Sequence, residues 1–304
     1  GAFSNLSRQL RIDLDAREAA DGIIANLVRL PGAPAIDLTV TGDGPIDSFA
    51  ADIRLSSAGQ ERLAGQVAIS AQPAVAPQTQ PTRIITADIS GDMAPLFTPE
   101  YREFFGNRVA LNTRALLHPD GRTELENLTL SAAALDLSGT LVLAPEGLPQ
   151  SFDIRLNMAA PGGGAILLPV SGANTWLDTA SLAAEFDADN GERWTLSGKV
   201  VGFRSGALDL GQLSLDGNGI IRQQAPRRVS AALSLNASRL RMANPDLAQA
   251  VGEEAAFTGN LFWQEGEGIR LTAFDFASDG LRVAGDAQVS GPGDALAIDG
   301  RERL

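Results

Sequence analysis

The stretch "LDLSGTLVL" (Leu135–Leu143) sets Leu135, Leu137, Gly139, Leu141 and Leu143 at every second position, with Asp136, Ser138 and Thr140 between them. Side chains of a β-strand alternate between faces, so this segment reads as a strand with one apolar and one polar face. Related phrases stand at "RLAGQVAI" (Arg62–Ile69), "TLSGKVVG" (Thr195–Gly202) and "RVAGDAQV" (Arg282–Val289). The pattern apolar–small–Gly–polar–apolar thus occurs four times. Glycine inside a strand allows bending or close approach, so Gly65, Gly139, Gly198 and Gly285 are expected to mark equivalent bends.

The same alternation fills the rest of the chain. "AIDLTVTG" puts Ile36, Leu38 and Val40 opposite Asp37 and Thr39. "SFAADIRLSS" puts Phe49, Ala51, Ile53 and Leu55 opposite Asp52 and Arg54. "SFDIRLNM" gives Phe152, Ile154, Leu156 and Met158, and "SAALSLNASRL" gives Leu233 and Leu235. Runs of this kind build antiparallel sheets wetted on one side. Turn signals separate them: "TGDGP" (Thr41–Pro45), "HPDG" (His118–Gly121), "DNGE" (Asp189–Glu192) and "EGEG" (Glu265–Gly268) carry the Gly, Asn and Asp that hairpins require.

Three short helices punctuate the strands. The first lies within "AREAADGIIANLVRLPG", with Ile23, Ile24, Leu27 and Val28 at helical spacing. The second is "TPEYREFFG", with Thr98 as the cap, Pro99 in the first helical position and Gly106 as the stop. Its aromatics Tyr101, Phe104 and Phe105 either pack onto the sheet rim as a plug or gate or contact lipid. The third, "NPDLAQAVG", repeats the design with Asn244, Pro245 and Gly252. Strands following the helices begin near Ile36, Val109 and Phe257, at separations of 73 and 148 residues, the second being twice 74. A fourth unit fits near Leu182, its helix replaced by "GGGAILLPVSG" (Gly162–Gly172). The expectation is one elongated segment of four divergent repeats, over about 16–90, 93–160, 162–240 and 244–304.

Composition narrows the function classes. The formal charge of −13 over 304 residues gives no basic face for nucleic acid. There is no cysteine, so neither disulfides nor thiol chemistry enter. Lys199 is the only lysine, a bias of genome composition. No stretch approaches the ~18 apolar residues of a membrane-spanning helix. The chain starts "GAFSN" without an initiator Met and ends "DGRERL" after a strand-like run. Both ends are expected to be internal cuts in a longer protein, with any membrane anchor or targeting signal outside this segment.

Aromatic residues make up only 5% of the chain, little for a well-packed core of this size. A long curved antiparallel sheet forming an open apolar groove, with a few short helices, fits the mainly β pattern; a compact sandwich is the structural alternative. Here a resemblance enters. "NLVRLPGAPAIDLTVTGDGPIDSFAADIRLSSAGQERLAGQVAI" (Asn26–Ile69) and "APLFTPEYREFFG" (Ala94–Gly106) resemble the translocation and assembly module TamB family of the AsmA-like superfamily. The helix–"LPG"–strand junction, the "GDGP" turn and the "PEYREFFG" helix carry the likeness, and the repeated strands extend it over most of the chain. The family's inner-membrane anchor and carboxy-terminal domain are not in this segment. The resemblance implies a β-groove, or β-taco, bridging the periplasm as part of an inner-membrane-anchored protein. It also implies phospholipids as cargo, and an outer-membrane barrel partner in barrel and autotransporter assembly.

Physics explains why such a function would use repetition. Each buried methylene is worth ~0.8 kcal/mol, so a lipid tail crossing water alone faces roughly 10 kcal/mol or more. An aliphatic track removes most of that barrier, and uniform weak contacts avoid trapping the lipid. The residues expected to line the groove are Leu38, Val40, Phe49, Ile53, Leu55, Val67, Ile69, Leu137, Leu141, Leu143, Ile154, Leu156, Leu233, Leu235, Leu271, Phe274 and Val283. The alternative for these faces is a closed, dry core.

Catalytic signals are weak, and no enzyme activity, cofactor or metal is predicted. His118 stands alone before "PDG" and reads as a solvated turn residue, with no second histidine for a metal or triad. "DADNG" (Asp187–Gly191) has its glycine one place early for a calcium loop and lacks the distal Glu. "GFRSG" (Gly202–Gly206) is no nucleophile elbow, because its serine is one position late. "GGG" (Gly162–Gly164) lacks the Lys-Ser/Thr of a phosphate loop. Two rivals to lipid conduction remain: a scaffold for outer-membrane protein assembly that pairs client strands at its edges, and a solenoid adhesin.

Overall fold

A computed structural model describes residues 2–4, 8–27, 30–74, 79–290 and 297–303. The protein is mainly β, antiparallel throughout, with a few short helices. It divides into two compact units, Gly1–Gly147 with Ala160–Gly162, and Leu148–Ala159 with Gly163–Leu304.

The first unit contains β1 (Ala2–Ser4), β2 (Gln9–Glu18), α1 (Ile23–Leu27), β3 (Ile36–Pro45), β4 (Ser48–Ser57), β5 (Gln60–Gln72) and β6 (Thr82–Gly91). It continues with α2 (Arg102–Phe105), β7 (Val109–Leu117), β8 (Thr123–Ala132) and β9 (Leu135–Leu143). Each strand pairs antiparallel with the next from β1 to β9. No pairing joins β9 back to β1 or β2 among the described residues, so this unit's sheet is not a closed barrel.

The second unit contains β10 (Pro149–Ala159), the hairpin β11 (Ile166–Leu167) and β12 (Thr175–Leu177), β13 (Thr179–Asp187), β14 (Arg193–Ser205), β15 (Leu208–Arg222) and β16 (Arg228–Met242). After α3 (Pro245–Val251) come β17 (Glu254–Gln264), β18 (Ile269–Ser278), β19 (Arg282–Ser290) and β20 (Ala297–Arg303). β10 pairs with β13, and each strand from β13 to β20 pairs antiparallel with its successor. In chain order, four strands follow each of α1, the α2 segment, the β11–β12 hairpin and α3.

The short connectors owe their form to local chemistry. At α3 the Asn244 carboxamide oxygen accepts from Asp246 N–H (2.9 Å) and Leu247 N–H (3.2 Å), and Gly252 ends the helix at φ 78°. Thr98 does not cap its helix: its hydroxyl donates to Glu100 instead, 3.3 Å away. The chain there enters through a 3₁₀ turn at Pro99–Tyr101 before α2, and Gly106 stops it at φ 65°. Phe104 is buried, and Phe97 and Phe105 stack at 3.8 Å. Ala133 and Ala134 of the β8–β9 turn donate N–H groups to the carbonyls of Phe105 and Phe104. The aromatic helix is therefore fastened to this hairpin through its backbone. In α1 Ala25 is buried, Ile23 and Leu27 are exposed, and the side chain of Ile24 lies outside the described residues. The expected contribution of Val28 lies outside the described residues. In the "GGGAILLPVSG" segment Ile166 and Leu167 are the largest fully buried side chains of the described molecule.

One turn expectation is corrected. "GDGP" is strand: β3 runs to Pro45, Gly42 and Gly44 face Ile12 and Leu10 across the ladder, and the chain reverses at Ile46–Asp47. A Cβ on Gly42 would stand 2.5 Å from the Ala50 carbonyl oxygen. The glycine serves close approach of β4, not a reversal.

Candidate functional site

Antiparallel partners share a face, so register alone sorts the side chains. In the first unit, Leu14, Val40, Ile53, Gly65, Ile89, Leu111, Leu130 and Leu137 form one cross-strand row over β2–β9. No member is polar. The adjacent row, on the opposite face, is Asp13, Thr41, Asp52, Gln66, Asp88, Asn112, Thr129 and Ser138, and no member is apolar. A one-residue slip of any strand would exchange the two, so the register is strongly specified.

The second unit repeats this. Leu156, Leu182, Gly198, Leu215, Leu235, Phe257, Phe276 and Val283 make one apolar row over β10 and β13–β19. Beside it on the other face run Asn157, Ser181, Lys199, Ser214 and Asn236.

The register brings all the expected apolar residues together within their units. Leu38, Val40, Phe49, Ile53, Leu55, Val67, Ile69, Leu137, Leu141 and Leu143 share the apolar face of the first unit. Ile154, Leu156, Leu233, Leu235, Leu271, Phe274 and Val283 share that of the second. Leu271 and Phe274 have opposite parity in the sequence. A bulge at Ala273, which has φ 50° and donates its N–H to Asp286, restores them to one face.

These faces are not a dry core. Of the seventeen residues only Phe49 is buried, and the other sixteen are half-buried. The chain exposes 18021 Å² in all. A cavity of about 380 Å³ opens on the apolar face of the first unit, walled mainly by Leu30, Ile36, Leu38, Leu55 and Leu96. A depression of about 420 Å³ on the second unit is lined instead by polar and small residues such as Gln212, Ser214, Asn236 and Ser238. It lies on the solvated face.

The repeated glycines do not share one structural role. On the apolar face each stands across from a bulky side chain: Gly65 from Ile53 and Ile89, Gly139 from Leu128, Gly198 from Leu182 and Leu215, Gly285 from Phe274. A Cβ at Gly65 would collide with the β6 backbone at Asp88 and Ile89, whereas one at Gly198 would make ordinary contacts, the nearest at 3.5 Å. Gly65 permits close strand approach and Gly198 does not require it, so the expectation of equivalent bends gives way to a shared position on the apolar face.

Two features escape the list of expected residues. Thr113, in a row with Ala87 and Leu128, places a hydroxyl on the apolar face that is buried and has no hydrogen-bond partner. Trp194 lies on the apolar face across from Gly219, its indole N–H donating to the Ser230 carbonyl at 2.9 Å. Both had a signal: Trp194, Leu196 and Gly198 alternate within "WTLSG", and Thr113 sits at the apolar parity of β7.

The polar faces carry exposed ion pairs, including Arg155 with Asp153 (3.0 Å) and Glu185 (3.2 Å) and Arg222 with Glu192 (3.0 Å). The hydrogen bond from Arg282 holds the Asp275 carboxyl below its usual range. The side-chain hydrogen bond from Arg227 and then its backbone N–H lower Glu265 to about 2. These pairs tie turns and neighbouring strands.

His118 is not a solvated turn residue. Its side chain is 11% exposed, with Nε2 3.2 Å from Glu124 and Nδ1 3.4 Å from Thr82 Oγ1. The arrangement fastens the β7–β8 turn. Asp187 likewise closes the "DADNG" turn by accepting from Asp189 N–H at 3.0 Å. Among the described residues no group of three or more His, Cys, Asp or Glu could hold a metal ion, and no helix is long and apolar enough to cross a membrane.

The class defined by this geometry is an open antiparallel sheet with one apolar, half-covered face. No family model, curated protein or solved structure matches the chain.

Proposed function

We propose that this chain is a segment of a periplasmic bridge of the TamB type, conducting phospholipid acyl chains along its apolar sheet faces between the inner and outer membranes. The observation that carries this reading is the row over eight strands that no polar residue interrupts, in which Leu14 is exposed and the other members are half-buried. A face of this kind offers hydrocarbon continuous contact at ~25 cal/mol per Å² covered, while the polar face keeps the sheet in water. Apolar patches of such extent mark interaction surfaces on soluble proteins. The function needs no catalytic group, because the track acts by lowering the cost of hydrocarbon in water. The sequence resemblance supplies the periplasmic setting, the inner-membrane anchor outside this segment and the outer-membrane barrel partner.

The assembly-scaffold reading has one observation in its favour. Among the described residues β1 pairs with β2 alone and β20 with β19 alone, leaving outer edges that a client strand could extend. A photo-crosslinking residue at Ile53 and, separately, at Asp52 in the membrane-anchored protein tests both readings. Phospholipid adducts at Ile53 and none at Asp52 are expected. Absence of lipid at both positions, with client β-strands captured instead, overturns lipid conduction in favour of the scaffold.

A further inference from the structure

We propose that Trp194 is a fixed aromatic platform that positions lipid tails on the apolar face of the second unit, an inference that rests on the acyl-chain reading above. β14 presents Trp194 on that face, and β15 sets Gly219 directly across from it with Gly217 two positions along. Gly219 is a spatial requirement, and Gly217 leaves room that a side chain would crowd. A Cβ on Gly219 would collide with the Ser230 carbonyl and stand 2.6 Å from the indole nitrogen, and one on Gly217 would stand 3.3 Å from Trp194 Cζ3. The indole therefore lies across β15 and reaches β16, where its N–H donates to the Ser230 carbonyl at 2.9 Å. The Ser230 hydroxyl in turn accepts from Ile220 N–H at 3.2 Å. Three strands fix one side chain.

The chemistry of the occupant follows from what is left over. Indole has a single polar atom, and Ser230 already uses it. Trp194 is half-buried rather than buried, and Phe186, Leu196, Leu233 and Leu261 share its face. A sugar or a polar peptide would find no hydrogen-bond partner among these side chains and would lose its own to water. A hydrocarbon chain has none to lose. The ring's rotamer is already set by the hydrogen bond and the two glycines, so contact with it costs no further ordering of the protein. The aliphatic neighbours lack that constraint.

The test uses the full chain carrying Trp176→Phe and Trp263→Phe, so that Trp194 is the sole tryptophan and is excited selectively over Tyr101. It is incubated with vesicles of phosphatidylethanolamine and phosphatidylglycerol whose acyl chains carry mid-chain bromines, or with unbrominated vesicles, and bound lipid is counted by phosphorus after separation. The expected result is bound lipid in both cases and a loss of Trp194 emission only with brominated chains. Trp194→Ala should reduce bound lipid, and Trp194→Phe, which keeps a ring, should restore part of it at unchanged circular dichroism. Bound lipid with emission indifferent to bromine overturns the role of Trp194 and leaves the acyl-chain reading standing. No bound lipid overturns that reading, and the platform with it.

Discussion

Thr113→Val should stabilise this protein. Thr113 lies on the apolar face, across from Ala87 on β6 and Leu128 on β8, and its hydroxyl is buried with no hydrogen-bond partner. An unsatisfied buried hydroxyl costs about 1–3 kcal/mol. Valine keeps the shape and the β-branch, so the substitution removes that cost without opening a cavity or straining χ1. The expected gain is about 1–2 kcal/mol. For a unit of about 150 residues, 1 kcal/mol moves Tm by roughly 4 °C, so the melting temperature should rise by about 4–8 °C. Thr113→Ser is the control: it keeps the unpaired hydroxyl and deletes a methyl, losing about 0.8 kcal/mol or more. Calorimetry on the three proteins checks the order Val above Thr above Ser. A Thr113→Val protein that melts at or below the parent temperature would refute the assignment of Thr113 to an apolar, unhydrated position.

Further outcomes follow from the same geometry. Gly65→Ala should destabilise by more than ~2 kcal/mol, because its Cβ meets the β6 backbone, while Gly198→Ala should stay within about 1 kcal/mol of the parent; urea midpoints separate the two. Asn244→Ala should cost about 1 kcal/mol by removing both N-cap bonds of α3, visible as faster amide exchange at Asp246 and Leu247. Glu265 is lowered to about 2 by Arg227, from an ordinary 4.5. Its contribution to stability should therefore be complete above about pH 4.5 and be lost as pH falls through 2. Glu265→Gln should flatten that acid limb in urea midpoints measured against pH and leave the profile between pH 6 and 8 parallel to the parent.

Period-2 alternation made the antiparallel sheet and its apolar faces readable from the residues. Val40 and Ile53 meet on one face because each strand alternates and each hairpin preserves parity. What escaped the sequence depended on three-dimensional proximity. "GDGP" has turn composition, yet Gly42 and Gly44 are strand residues that admit the neighbouring β4 backbone. Leu271 and Phe274 share a face only because Ala273 adopts a positive φ, which no periodicity announces. His118 looked solvated because its partners Thr82 and Glu124 arrive from β6 and β8. The pinned indole of Trp194 required knowing that Gly217 and Gly219 lie beside it, a matter of register between strands.

The most direct measurement is bound phospholipid per chain in Leu141→Asp, taken with its thermal stability. Leu141 is half-buried on the apolar face, in the row of Phe49, Ile69, Ile85, Ala115 and Leu125. On a half-buried face the carboxylate retains access to water, so the cost to folding should stay well below that of a fully buried unpaired charge. The account predicts a folded protein with native circular dichroism that has lost its lipid. An unfolded Leu141→Asp would show a closed, dry core instead, and a folded variant with undiminished lipid would show that the apolar face is not where the lipid binds.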